Sequence, residues 1–139
     1  MAVSGQQTNV IASPPAEHWP QEVDLILSAM EAGGAGHDER RKHPRMSYRV
    51  LARLRLFSDP AGTEPWKLYT RDVSVRGVGF ITEHRLPLGY GGMLELAAPR
   101  SGRIVSAHGT LFRCRELGNG YFEGALYFNR EQWLFAATE

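Results

Sequence analysis

From Val50 onward, apolar and polar residues alternate with a period of two. Val50, Ala52, Leu54 and Leu56 fall on one face and Arg49, Arg53 and Arg55 on the other, the pattern of a strand with one side in a core. Leu51 is the one misfit. The turn-forming run Ser58, Asp59, Pro60, Ala61 and Gly62 follows. Trp66, Leu68 and Thr70 then alternate with Lys67, Tyr69 and Arg71, which predicts a hairpin. Further strands are expected around residues 78–82, 92–96, 104–115 and 120–128, with Leu117, Gly118, Asn119 and Gly120 joining the last two tightly. Six short antiparallel strands are best accommodated in a small closed barrel, because closure removes unpaired sheet edges. The expected class is all-β.

Two segments carry a helical period instead. Pro20 suits a first helical turn, Glu22 and Asp24 favour its positive end, and Val23, Ile26, Leu27 and Met30 recur on one side. This predicts an N-terminal amphipathic helix over 20–32 whose apolar face must bury, either on the domain's own barrel or on a partner. Gly33, Gly34 and Gly36 supply a stop and a pliable joint. Near the other end, Asn129 and Gln132 resemble a capping box ahead of Trp133, Leu134 and Phe135, which predicts a short apolar C-terminal helix. Residues 1–16 are polar with no hydrophobic period and are expected to be flexible. The organisation read from the pattern is an N-terminal extension over 1–37 and one folded domain over 38–139.

Composition sharpens this. A chain of 139 residues with 42% hydrophobic and 22% charged residues can build one ordinary core. Cys114 is the only cysteine, so no intramolecular disulfide forms, and no apolar run of about 20 residues spans a bilayer. The first residues lack the charged and apolar regions of a secretory signal, so the expected compartment is the cytoplasm. The net charge of +1 conceals a division. Residues 1–39 hold six acids and no lysine or arginine, whereas residues 40–139 hold 16 cations against nine acids, a net +7. The main body should attract anions.

Two segments stand outside the strand pattern. In the first, residues 38–45, Arg40, Arg41, Lys42 and Arg45 cluster beside His43 and Pro44, and the proline discourages both helix and central strand. Arginine can donate paired hydrogen bonds to phosphate or to the O6 and N7 edge of guanine, and can stack on a purine. The plainer reading is a solvated basic loop that keeps the protein soluble. The second segment, residues 72–77, reads Asp72-Val73-Ser74-Val75-Arg76-Gly77. As a turn, Asp72 and Ser74 would bond nearby amides and Gly77 would take a positive backbone angle. As a purine clamp, the carboxylate would accept from guanine N1 and N2, the hydroxyl would add a bond, and the glycine would permit close approach.

Together the segments are more specific than either alone. Arg40-Arg41-x-x-x-Arg45 is followed, after 26 intervening residues, by Asp72-x-Ser74-x-x-Gly77. This pair closely resembles the RxxxR and D/NxSxxG signatures of the PilZ domain family, with the similarity extending over roughly residues 38–137. The resemblance implies a six-stranded antiparallel PilZ-type β-barrel with a C-terminal helix, and a receptor for the bacterial second messenger cyclic di-GMP. Carried over by position, Arg41 and Arg45 would hold guanine and phosphate, while Asp72, Ser74 and Gly77 would read or approach the base. In the family an arginine immediately before RxxxR accompanies an intercalated ligand dimer, so Arg40 implies two cyclic di-GMP molecules per chain. His43 and Arg76 lie within the motifs as further contact candidates. The implied mechanism has no chemical step. Ligand would order the basic loop, where Arg49 adds a fifth neighbouring cation, and turn the N-terminal helix toward an unidentified downstream protein.

Other functions find less support in the sequence. Ser74 lacks the setting of a nucleophile elbow, no H-E-x-x-H motif is present, and His18, His37, His43, His84 and His108 have no metal-ligand spacing, so neither an enzyme nor a metal site is expected. Cys114, placed with Thr110 and Phe112 on one strand face, reads as packing. Two rival classes remain: a PilZ-like protein-interaction module without ligand binding, and a barrel binding single-stranded nucleic acid through Trp66, Tyr69 and Phe80, the less favoured of the two.

Overall fold

A computed structural model of the chain describes residues 19–34 and 44–136. One helix, α1 (Gln21–Gly34), precedes seven strands: β1 (Met46–Ser47), β2 (Leu51–Leu56), β3 (Trp66–Ser74), β4 (Gly77–Thr82), β5 (Gly91–Ala97), β6 (Ile104–Gly118) and β7 (Tyr121–Phe128). All pairings are antiparallel. The order is β1-β3-β2-β5-β6-β7-β4, and β4 returns to pair with β3. Strands β2 to β7 therefore close a six-stranded barrel, and two-residue β1 is an extra edge laid on β3.

The alternation anticipated in the sequence fills the barrel. Ala52, Leu54, Leu56, Leu68, Phe80, Leu94, Leu96, Leu111, Leu126 and Phe128 are buried in one cluster. Thr70, a buried polar residue on β3, is satisfied: its hydroxyl accepts from the Val50 amide at 2.8 Å and donates to the Tyr48 carbonyl at 2.6 Å. Those bonds tie the irregular residues 48–50 to β3, as a buried polar group requires.

A second buried cluster lies outside the barrel. Val23 and Leu27 of α1 pack with Tyr69, Ile81 and Tyr121, and Leu51, Ile26 and Met30 border them. Leu51 and Tyr69 point away from the barrel interior but lie under the helix, so the apparent misfit at Leu51 is half of an interface. The docking is also electrostatic. Arg49 pairs with Asp24 at 3.1 Å and Glu31 at 3.2 Å, and Ser47 donates to Glu31 at 3.0 Å. The acidic extension thus meets the basic body through Arg49, which two carboxylates of α1 neutralise.

Three expectations change. The C-terminal segment forms a single 3-10 turn, Trp133–Phe135, and no side-chain cap comes from Gln132. The Gln132 amide donates instead to the Val75 carbonyl at 2.8 Å, and Asn129 is occupied with His108 and Thr110, so the capping box never assembles. Phe135 is nevertheless fully buried and stacks on Phe128 with ring centroids 5.5 Å apart. On β6 a register shift between Leu111 and Arg113 inserts one extra residue. Phe112 points outward beside inward Leu111, and the extra residue returns Cys114 to the core side, so the two do not share a face. The aromatics considered for nucleic-acid stacking are also separated, since Phe80 lies inside the barrel and Tyr69 beneath α1.

Burial has a measurable consequence at high pH. The Tyr48 hydroxyl donates to the Ala97 carbonyl, and burial pushes its pKa from 10.0 up to about 12. Tyr121 is likewise pushed up to about 12, first by burial and then by the nearby Glu22 and Glu83 carboxylates. A raised folded-state pKa means that the native protein holds these protons after the unfolded chain has lost them. Their stabilisation is therefore complete below the unfolded value near 10 and is lost as pH climbs toward 12. Urea denaturation between about pH 9 and about pH 11.5 should show unfolding free energy falling with pH, and the slope should flatten in the Tyr48→Phe, Tyr121→Phe double variant.

Candidate functional site

The site gathers at the turn from β3 to β4. The register pairs Met46 with Val73 and Ser47 with Asp72, so β1 carries the preceding residue, Arg45, to the Ser74 end of β3. Arg45, Asp72, Ser74, Arg76 and Gly77 line one cleft of about 90 Å3, walled on its far side by Phe112, Arg113 and Tyr127. Arg40, Arg41 and His43 lie outside the described residues.

Each motif residue has a local structural cause. The Ser74 hydroxyl accepts from the Arg76 amide at 3.1 Å, the short-range turn that serine favours. Gly77 is needed for a reason other than a positive angle, which among the described glycines belongs to Gly62, Gly89, Gly102, Gly118 and Gly120. A Cβ at Gly77 would stand 2.4 Å from the Leu126 carbonyl oxygen, so the glycine lets β4 lie against β7. Gly79, opposite Asp72 in the register, does the same for a side chain: a Cβ there would stand 2.8 Å from Asp72 Oδ1. The missing methyl leaves room for the carboxylate.

Behind the cleft runs a line of charge. A register shift between Thr70 and Asp72 bulges the strand at Arg71. Arg71 donates through Nε to Asp72 Oδ2 at 3.2 Å and reaches Glu123 with Nη2 at 3.4 Å. Glu123 is fully buried, and Arg113 grips it with two bonds of 3.1 and 2.7 Å while Arg115 adds one of 3.0 Å. Asp72 is thus held from behind by a guanidinium that a buried carboxylate anchors. In front, Arg76 sits over the Tyr127 ring, 4.4 Å from its centroid, and donates to its hydroxyl at 2.6 Å. Phe112 meets Tyr127 edge to face at 5.9 Å. The cleft therefore offers guanidinium donors, one carboxylate acceptor and exposed aromatic surface, which suit a planar, hydrogen-bonding, anionic ligand.

Comparison with known proteins identifies the fold. A family model described as PilZ domain matches residues 39–131. The chain belongs to the PilZ domain family. Solved structures agree: the Bacillus subtilis inhibitor of motility MotI/DgrA superposes with a TM-score of 0.53 at 12% identity, covering 69% of this chain and 45% of that one. The PilZ domain of YcgR from Escherichia coli, solved with c-di-GMP, superposes with a TM-score of 0.50 at 17% identity, covering 65% of this chain and 78% of that one. This PilZ chain thus spans less than half the length of the motility inhibitor. No curated protein matches it.

Within the PilZ barrel, sequence reasoning overlooked Gly79, Phe112, Arg113 and Tyr127. The signal for Gly79 was its two-residue offset from Gly77. Phe112 and Tyr127 lie outward by plain alternation with buried Leu111, Leu126 and Phe128, whereas Arg113 follows the β6 bulge, which alternation alone does not show. Among the described residues, no group of three or more His, Cys, Asp and Glu could hold a metal ion, and no helix is long and apolar enough to cross a membrane.

Proposed function

We propose that this PilZ domain is a receptor for cyclic di-GMP. The observation that carries the reading is the convergence of Arg45, from the first motif, with Asp72, Ser74 and Gly77, from the second, along one cleft. Asp72 supplies the acceptor for guanine N1 and N2 hydrogens, Arg45 and Arg76 supply donors, and Tyr127 and Phe112 offer faces for stacking. Arg40 and Arg41 complete the grip on guanine and phosphate, with two ligand molecules per chain and His43 as a neighbour.

The receptor acts without a chemical step. Its output is a change in how α1 sits, since Glu31 of α1 bonds both Ser47 and Arg49, within four residues of Arg45. Ligand drawn to Arg45 competes for the same stretch of backbone and shifts the helix, altering the face offered to a downstream protein.

Isothermal calorimetry with cyclic di-GMP tests the proposal. Saturable binding at two molecules per chain is expected; a stoichiometry near one removes the dimer, and no heat at all leaves a protein-interaction module. Charge-assisted hydrogen bonds contribute about 1.5 to 3 kcal/mol each, so Arg45→Ala should weaken binding at least about tenfold. Hydrogen exchange over residues 20–45 should change on ligand addition; unchanged protection there excludes the helix as the output.

A further inference from the structure

The opposite end of β3 carries a second cleft. Trp66 opens the strand that Ser74 closes, about 26 Å away at roughly 3.3 Å per residue. Here a groove of about 750 Å3 lies between the start of β3, the residues leading into α1 and those leaving β4. That volume falls within the range of about 300 to 1,000 Å3 seen for ligand sites.

Its walls are aromatic and fixed. Trp19 meets Tyr69 edge to face at 5.2 Å, and Trp66 meets His84 at 4.8 Å. The Trp66 indole N–H donates to Asp59 at 3.0 Å, which sets the ring plane and occupies its only donor. The rim carries Glu64 and Glu83, with Lys67 as the one cation among the lining residues. Tyr121 donates to Glu83 at 3.5 Å, and Glu22 lies near enough to help raise that tyrosine's pKa. An acidic, aromatic groove on a body of net charge +7 runs against the charge of its surroundings.

We infer that this groove binds a cationic side chain, arginine or lysine, presented by an extended segment of a partner protein. Aromatic faces attract a cation through their quadrupole, and two carboxylates at the rim complete its neutralisation. An anionic ligand would meet Glu64 and Glu83, and a purely apolar one would desolvate them without compensation. The site does not depend on the dinucleotide reading, because it shares no lining residue with the cleft at Ser74.

The test uses the full chain and three blocked pentapeptides, Ala-Arg-Ala-Arg-Ala and its citrulline and glutamate counterparts, at an ionic strength of about 0.15 M where loose surface attraction is screened. The indole N–H resonances of Trp19, Trp66 and Trp133 are followed by NMR. The arginine peptide should shift Trp19 and Trp66 saturably and leave the exposed Trp133 in place, while the other two peptides shift none. The Glu64→Gln, Glu83→Gln double variant, which alters only exposed carboxylates, should weaken the arginine peptide at least tenfold without changing the melting temperature. The inference is overturned if the arginine peptide leaves both resonances unmoved, if citrulline serves equally well, or if the double variant binds as tightly as the parent.

Discussion

Glu123→Ala is expected to remove about 3 to 5 kcal/mol of stability, the range found when one partner of a buried ion pair is deleted. The Glu123 side chain is wholly buried, and three guanidiniums converge on its two oxygens. Arg71 and Arg113, 22% and 31% exposed, lose their counter-charge on the side that water reaches least, whereas Arg115, 68% exposed, is screened and contributes little. A domain stability of about 5 to 15 kcal/mol makes such a loss severe, so the melting temperature should fall by roughly 10 °C or more. Glu123→Gln keeps the shape and one acceptor and should lie between alanine and the parent. The surface pair Arg85–Glu116, 3.5 Å apart with both side chains more than 60% exposed, provides the control: Glu116→Ala should change stability by less than about 1 kcal/mol. Urea denaturation decides the matter. If Glu123→Ala matches Glu116→Ala, the buried network contributes nothing to the fold.

The same network has a second effect, on the cleft. Arg71 bridges Glu123 to Asp72 and also meets the Met30 sulfur of α1 at 3.6 Å. A residue that bulges from β3 thereby touches the barrel wall, the site carboxylate and the helix together. Loss of Glu123 should free Arg71, so Asp72 loses its fixed orientation even in the molecules that remain folded.

This arrangement marks the boundary of what the sequence made legible. The inward residues of the barrel were readable because Ala52, Leu54 and Leu56 obey a period of two that depends on each strand alone. Leu51 and Tyr69 were not, since their burial comes from α1, an element distant in the chain. Cys114 was grouped with Thr110 and Phe112 because one bulged residue reverses every assignment after it. Glu123 gave no sign of burial: an acid on the outward face of a strand ordinarily meets water, and only closure of the barrel surrounds it with Arg113 and Arg115 of β6 and Arg71 of β3. The candidate site divides in the same way. Asp72, Ser74 and Gly77 form a local motif that spacing reveals. Their meeting with Arg45 relies on β1, two residues long and too short for any periodicity to display.

Gly77→Ala tests what the last motif residue is for. The methyl would stand 2.4 Å from the Leu126 carbonyl oxygen and 3.4 Å from Tyr127 Cα, both backbone, so no flexible side chain can yield. Relief requires β4 to separate from β7, where Gly77 pairs with Tyr127 and Val78 with Leu126. Overpacking ordinarily costs about 1 to 3 kcal/mol, and a clash with main chain at a barrel seam belongs at or above the top of that range. The melting temperature should accordingly drop by roughly 10 °C. Gly91→Ala makes the same chemical change where the nearest atom is 3.5 Å away, an ordinary contact, and should stay within about 1 kcal/mol of the parent. The comparison separates two roles for Gly77. If Gly77→Ala melts with the parent but loses cyclic di-GMP, the glycine serves ligand approach alone; if stability collapses, it closes the barrel first and shapes the cleft through that closure. The backbone clash favours the second outcome, and with it a motif whose last residue is set by the β4–β7 seam.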